Sequence, residues 1–131
     1  MAKIKLLIDT DIFIDYLKGI SAAKVLFRST DIDIYCSVLT KKELLNKPGL
    51  KDSERKRIVS IFKRLKTLTL DSDISLKYSD LLVKYHDNGL QPPDAIIAAT
   101  AWSKKLPLLT RNWRHFRYIK EIKLAPIYEQ T

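Results

Sequence analysis

Residues 3–13 read KIKLLIDTDIF, and the fold turns on how that stretch is parsed. KIKLLI (3–8) is a short apolar run halted by Asp9, a length that suits a buried strand better than a helix. The next segment, DIFIDYLKG (11–19), reads as a helix with Ile12, Tyr16 and Leu17 inward and Gly19 as its stop. A buried strand that runs straight into a helix is the opening half of a βαβ unit, the building block of parallel sheets.

The same alternation recurs outward from that stretch. SAAKVLFRS (21–29) reads as a second helix and DIDIYC (31–36) as a second strand. Ser37 is then an N-cap for VLTKKELLN, and Pro48-Gly49 breaks that helix. KDSERKRIVSIFKRLK (51–66) predicts a long basic helix with Ile58, Ile61, Phe62 and Leu65 on one stripe. TLTL (67–70) is a third strand, and a helix starting at Ser72 or Asp73 runs to about His86, before Asn88-Gly89. PPDAIIAATAW (92–102) is apolar almost all round, as a helix in the middle of a domain must be, with Pro93 suited to its first position. LPLLT (106–110) and EIKLA (121–125) complete the set as fourth and fifth strands. The expectation is one α/β domain over residues 1–131, with a central, mainly parallel sheet of four to five strands flanked by helices.

Composition narrows the function. One cysteine, Cys36, cannot form an internal disulfide, which points to a cytoplasmic protein. MAKIKLLIDT meets Asp9 too early for a signal peptide, and no apolar run is long enough for a bilayer, so no membrane partner is expected. The 24 Lys and Arg against 15 acids leave a net charge of +9, which favours an anionic partner such as nucleic acid. The three glycines, at 19, 49 and 89, build no phosphate-cradling loop, so a phosphate-handling site must rely on side chains and metal.

The acids supply such side chains. Asp9 follows the first strand, where ligands of open parallel sheets bind, though a plain N-cap role explains it equally well. Glu43 sits one helical turn beyond Leu39, among Lys41, Lys42 and Lys47, and alone would read as a surface acid. Asp94 opens the apolar helix, where an acid also complements the helix dipole. Asn112 follows the LPLLT strand, in a place natural for a turn residue. Two carboxylates about 4 Å apart repel by roughly 4 kcal/mol at an effective dielectric near 20. Three gathered in one crevice therefore call for a cation, and an all-oxygen donor set selects Mg²⁺ or Mn²⁺. Zinc is disfavoured by a single Cys and two separated His, His86 and His115. DSDIS (71–75) lacks the third acid and turn glycine of a calcium loop.

LLIDTDIFIDYLKG, SVLTKKELLN, PPDAIIAATAW and LPLLTRNWRHF, in that order, resemble the PIN domain, and in particular the VapC-type toxins of toxin–antitoxin pairs. The likeness runs from Lys3 to about Tyr118. It implies a Mg²⁺- or Mn²⁺-dependent endoribonuclease in which Asp9 and Asp94 hold the ion and Glu43 joins them directly or through water. Hydrolysis by that route leaves a 5′-phosphate. Asn112 stands where the family often has a further acid, Asp11 where it often has Asn, and Thr10 and Thr110 match hydroxyls that orient the acids. The resemblance also implies a cognate antitoxin and a homodimer. In RNWRHFRYIK (111–120), Arg111, Arg114 and Arg117 alternate with aromatic residues and are expected to contact RNA, while Phe116 reads as core.

Two other functions fit parts of the sequence. LLIDTDIF has the strand-DxD form of a haloacid-dehalogenase-type phosphatase. Against it, Ile12 and Phe13 replace the residues usual after DxD, and LPLLT comes too late to leave room for the remaining motifs. A non-catalytic PIN-fold module that binds nucleic acid or antitoxin is favoured only by Asn112.

Overall fold

The computed structural model describes residues 3–128. Four strands, β1 (Ile4–Ile8), β2 (Ile32–Ser37), β3 (Lys66–Leu68) and β4 (Leu108–Leu109), form one sheet in the order β3-β2-β1-β4, and every pairing is parallel. The helices are α1 (Thr10–Leu17), α2 (Ser21–Arg28), α3 (Val38–Leu45), α4 (Asp52–Phe62), α5 (Ser72–Lys84), α6 (Pro92–Lys104) and the single turn α7 (Trp113–Phe116).

The period-two alternation of strand side chains divides the core. Leu7 and Leu108 face α5, α6 and α7, joining Ile74, Leu81, Ala98 and Phe116. Leu6, Ile8 and Leu109 face the other way, against α1 to α4, with Ile12, Phe13, Phe27, Ile58 and Phe62. Phe13 anchors that second layer, stacked on Phe62 and edge-on to Phe27, with centroids 5.2 Å apart in each pair. The result is a sheet covered by helices on both faces, as near-continuous apolar strands require.

Helix ends follow local chemistry. Ser37 caps α3 by accepting from the Leu39 N–H at 3.2 Å, and Asp71 caps α5 by accepting from the Ile74 N–H at 2.9 Å. In α6 the alanines let the helix sit close to its neighbours, and the buried Thr100 hydroxyl donates to the Ile96 carbonyl at 2.8 Å. Pro92 takes the first position of α6 and Pro93 the second, one residue earlier than expected.

Two elements differ from expectation. EIKLA is not a strand: Leu124 makes one isolated parallel bridge to Leu108, beside a β4 only two residues long. The basic helix ends at Phe62, because Lys66 already pairs with Tyr35 in the sheet.

Candidate active site

The chain leaves β1 toward β2 and β3 on one side, then returns to add β4 on the other. This reversal opens a crevice beyond the carboxyl ends of β1 and β4, the usual ligand position in such sheets. Asp9 is the first residue past β1, and its N–H donates to the Leu109 carbonyl at 3.0 Å. Asp9 is the α1 N-cap: its Oδ1 accepts from the Thr10 N–H at 2.8 Å. Its Oδ2 accepts from the Thr110 hydroxyl, also at 2.8 Å. The capping role and the crevice role therefore fall on the same side chain, one oxygen for each.

Asp11 lies beside it. Its Oδ2 accepts from the Arg111 N–H at 2.8 Å and stands 3.4 Å from the Thr110 hydroxyl. Its Oδ1 is buried with no hydrogen-bond partner. Burial, then the charges of Asp11 and Asp94, push the Asp9 carboxyl up to about 6 despite two hydrogen bonds that oppose the rise. Burial also raises Asp11. Asp11 and Asp94 thus both disfavour a charge on Asp9.

Asp94 is the third residue of α6, and its Oδ2 lies 2.9 Å from Nδ1 of His115. Asn112 Nδ2 is 2.9 Å from the same ring nitrogen. A protonated Nδ1 can donate to Asp94 and also to Asn112 once that amide is turned to present its oxygen. The Asn112 N–H donates to the Thr110 hydroxyl at 3.0 Å, so the fully buried Thr110 ties the β4 loop to Asp9. His115 was not anticipated as a partner of Asp94. Its three-residue spacing from Asn112, one turn of a short helix, is the signal that could have shown it.

The other expected residues fall at different places. The Thr10 hydroxyl meets that of buried Thr40 at 3.1 Å, so α3 enters the crevice wall through Thr40. Glu43, one turn further along α3, is exposed and lines a hollow with Ile14, Lys18 and Lys47. It takes no part in the hydrogen bonds of the crevice. Arg111, expected to contact RNA, turns its guanidinium onto Asp15, with Nε 2.8 Å from Oδ2 and Nη2 3.0 Å from Oδ1. Asp15 is fully buried and also accepts from the Tyr128 hydroxyl at 2.9 Å. Arg114 and Arg117 are exposed, and Phe116 is core, as expected.

The crevice suits a hard divalent cation. Asp9 and Asp94 supply carboxylate oxygens, burial and then neighbouring acids raise Asp9, and Asp11 leaves one buried oxygen unanswered. Among the described residues no three His, Cys, Asp or Glu side chains are grouped to hold a metal ion. That limits the protein's share to one or two carboxylates. Mg²⁺ accepts such a share, because it keeps several waters and takes the rest of its shell from substrate phosphates.

A parallel sheet in this order, with an aspartate crevice at its β1–β4 reversal, defines the class. The PIN domain family model matches residues 6–122, and the chain belongs to that family, which removes the phosphatase alternative. Its relatives are VapC proteins. It is 30% identical over 129 residues to Ribonuclease VapC1 of Methanocaldococcus jannaschii, covering 96% of this chain and 88% of that protein. It is 33% identical over 122 residues to Ribonuclease VapC19 of Mycobacterium tuberculosis, covering 89% and 96%. A toxin–antitoxin complex from Klebsiella pneumoniae superposes with a TM-score of 0.76 at 29% identity, over 89% of this chain and 94% of that one. VapBC2 of Rickettsia felis, bound to a promoter DNA fragment, shares the fold with a TM-score of 0.82 at 18% identity, over 96% and 100%.

Proposed function

We propose that this chain is a VapC-type toxin that hydrolyses RNA phosphodiesters in the Asp9–Asp94 crevice with Mg²⁺ or Mn²⁺. The observation that carries the reading is the gathering of Asp9, Asp11 and Asp94 at the β1–β4 reversal, with Asp9 pushed up to about 6. Asp9 and Asp94 would hold the ion, and Glu43 would reach it through water by swinging back along α3. The ion, when bound, supplies an activated water and offsets charge on the phosphoryl oxygens.

The chain's own groups do the rest. Thr110 fixes one Asp9 oxygen and the Thr10 N–H fixes the other, so the carboxylate cannot rotate away from the crevice. The Arg111 N–H holds the Asp11 carboxylate on the loop after β4. His115 and Asn112 orient Asp94. Arg114, beside Asp94, and Arg117, exposed just after α7, are suited to hold the RNA backbone.

Among the described residues no helix is long and apolar enough to cross a membrane; the reading places the action on RNA in the cytoplasm. The similarity to toxin–antitoxin complexes supports a cognate antitoxin as partner; the reading adds a homodimer as the assembly and a single PIN-like domain over residues 1–131. The test is incubation of purified protein with total RNA under metal titration. Cleavage that needs Mg²⁺ or Mn²⁺, stops in EDTA and is absent in Asp94→Asn is expected. RNA left intact at every metal concentration would leave a non-catalytic binding module, the reading that Asn112 favours.

A further inference from the structure

A hollow of about 270 Å³ or less lies on several faces of the molecule, but one of them, of about 250 Å³, opens directly beside Asp94. Its walls are Asn88 and Gln91 from the turn before α6, Arg114 and His115 from α7, and Tyr118 just after it. The turn is fixed by Gly89, whose φ of 75° puts it in the left-handed region that favours glycine. Leu90 is buried and pins the turn to the core, so the wall does not depend on a loose loop.

The chemistry of these walls is selective. Tyr118 is half-buried, its ring meets Tyr85 edge to face at 5.4 Å, and burial, then the charge of Asp94, raise its phenol. It is therefore a held aromatic surface close to the reacting end of the crevice. Gln91 Nε2 donates to the Gly89 carbonyl at 3.1 Å, which leaves its Oε1 as an acceptor. The Asn88 side chain is exposed and carries both a donor and an acceptor. Paired amides suit the edge of a nucleobase, whose donors and acceptors lie side by side. Arg114 is the exposed cation at the rim.

Resting on the ribonuclease reading above, we infer that this hollow is a subsite for one unpaired base of single-stranded RNA, next to the phosphate that is cleaved. Tyr118 stacks on the base, Asn88 and Gln91 read its edge, and Arg114 holds the neighbouring phosphate. A base can enter only where it is unstacked, so the site selects loops and single strands over duplex, the usual basis of sequence reading in RNA.

The experiment uses short fluorescent single-stranded RNAs of defined sequence, with each of the four bases placed in turn on either side of the cleaved bond. Binding is read by anisotropy in an Asp9→Asn background, so that it does not depend on cleavage, and kcat and KM are read in the otherwise wild-type chain. Tyr118→Ala is expected to weaken binding and raise KM about tenfold, with kcat within about twofold, since stacking on one aromatic side chain is of that order. Tyr118→Phe keeps the ring and is expected to behave as wild type. Asn88→Ala with Gln91→Ala is expected to flatten the base preference at one flanking position only. Equal melting temperatures among the variants exclude a folding defect. Unchanged affinity in Tyr118→Ala, or a base preference untouched by the double substitution, would overturn the subsite. Absence of cleavage by the wild-type chain would instead overturn the nuclease reading, and the anisotropy series would still decide the subsite.

Discussion

At Asp9 two demands meet in one side chain. It caps α1 through Oδ1 and is held by Thr110 through Oδ2, yet it is buried beside two further aspartates. Its carboxyl rises from 3.8 to about 6, so between those values the folded chain keeps a proton that the unfolded chain has released. The stability this provides is full below about pH 4 and is lost as pH rises through about 6. Its ceiling is roughly 3 kcal/mol at about 1.4 kcal/mol per pH unit, and residual exposure reduces it. In EDTA, thermal unfolding of the wild-type chain should therefore show a loss between about pH 4 and 6.5 that Asp9→Asn does not share. Asn can still accept from the Thr10 N–H through Oδ1 and can donate from Nδ2 to the Thr110 hydroxyl oxygen, so this variant should fold while losing at least about a hundredfold in cleavage rate, the scale of removing a key electrostatic group. An identical pH profile in both proteins would contradict the account of Asp9. Asp9 and Asp94 were legible in the sequence because each stands where an apolar segment abruptly meets a charge. His115 was not, because its partner Asp94 lies 21 residues away and on a different helix.

Among elements, α1 and the loop after β4 are joined by an ion pair whose acid, Asp15, is fully buried. Asp11 and Asp15 lie one turn apart on α1, and both face that loop: Asp11 takes the Arg111 backbone and Asp15 its guanidinium. Removing Arg111 takes away the countercharge of a fully buried carboxylate, at a cost of about 3 kcal/mol. Arg111→Ala should lower the melting temperature by roughly 10 °C in a chain of this size, measured by calorimetry. Combining it with Asp15→Leu should recover much of the loss; if the double variant were as unstable as the single, the pair would not be the cause. This clamp was hidden from sequence reading, which expects an acid on a helix to face solvent and an arginine near aromatics to face RNA. The strand-to-helix order, by contrast, was plain in KIKLLIDT and LPLLT. EIKLA misled, because an apolar run at the sheet's margin finds a two-residue neighbour and can pair at a single point.

For the whole molecule, the +9 charge is the dominant long-range property. Affinity for single-stranded RNA should fall linearly on logarithmic axes as salt rises, by about 0.7 per phosphate contact. Arg114→Ala and Arg117→Ala should each shallow that slope by about one contact, whereas a flat profile in the wild type would contradict a basic RNA track. The parallel sheet gives this charge a direction, because its reversal between β1 and β4 sets three aspartates at one edge of an otherwise cationic protein. Those acids repel an RNA phosphate unless a cation stands between them. The most direct test of that claim is a Mn²⁺ titration followed by electron paramagnetic resonance on the wild-type chain and on Asp9→Asn. Saturable loss of the free-ion signal in the wild type, strongly weakened in the variant, is the predicted result. Equal Mn²⁺ uptake by both proteins, or none by either, would contradict it.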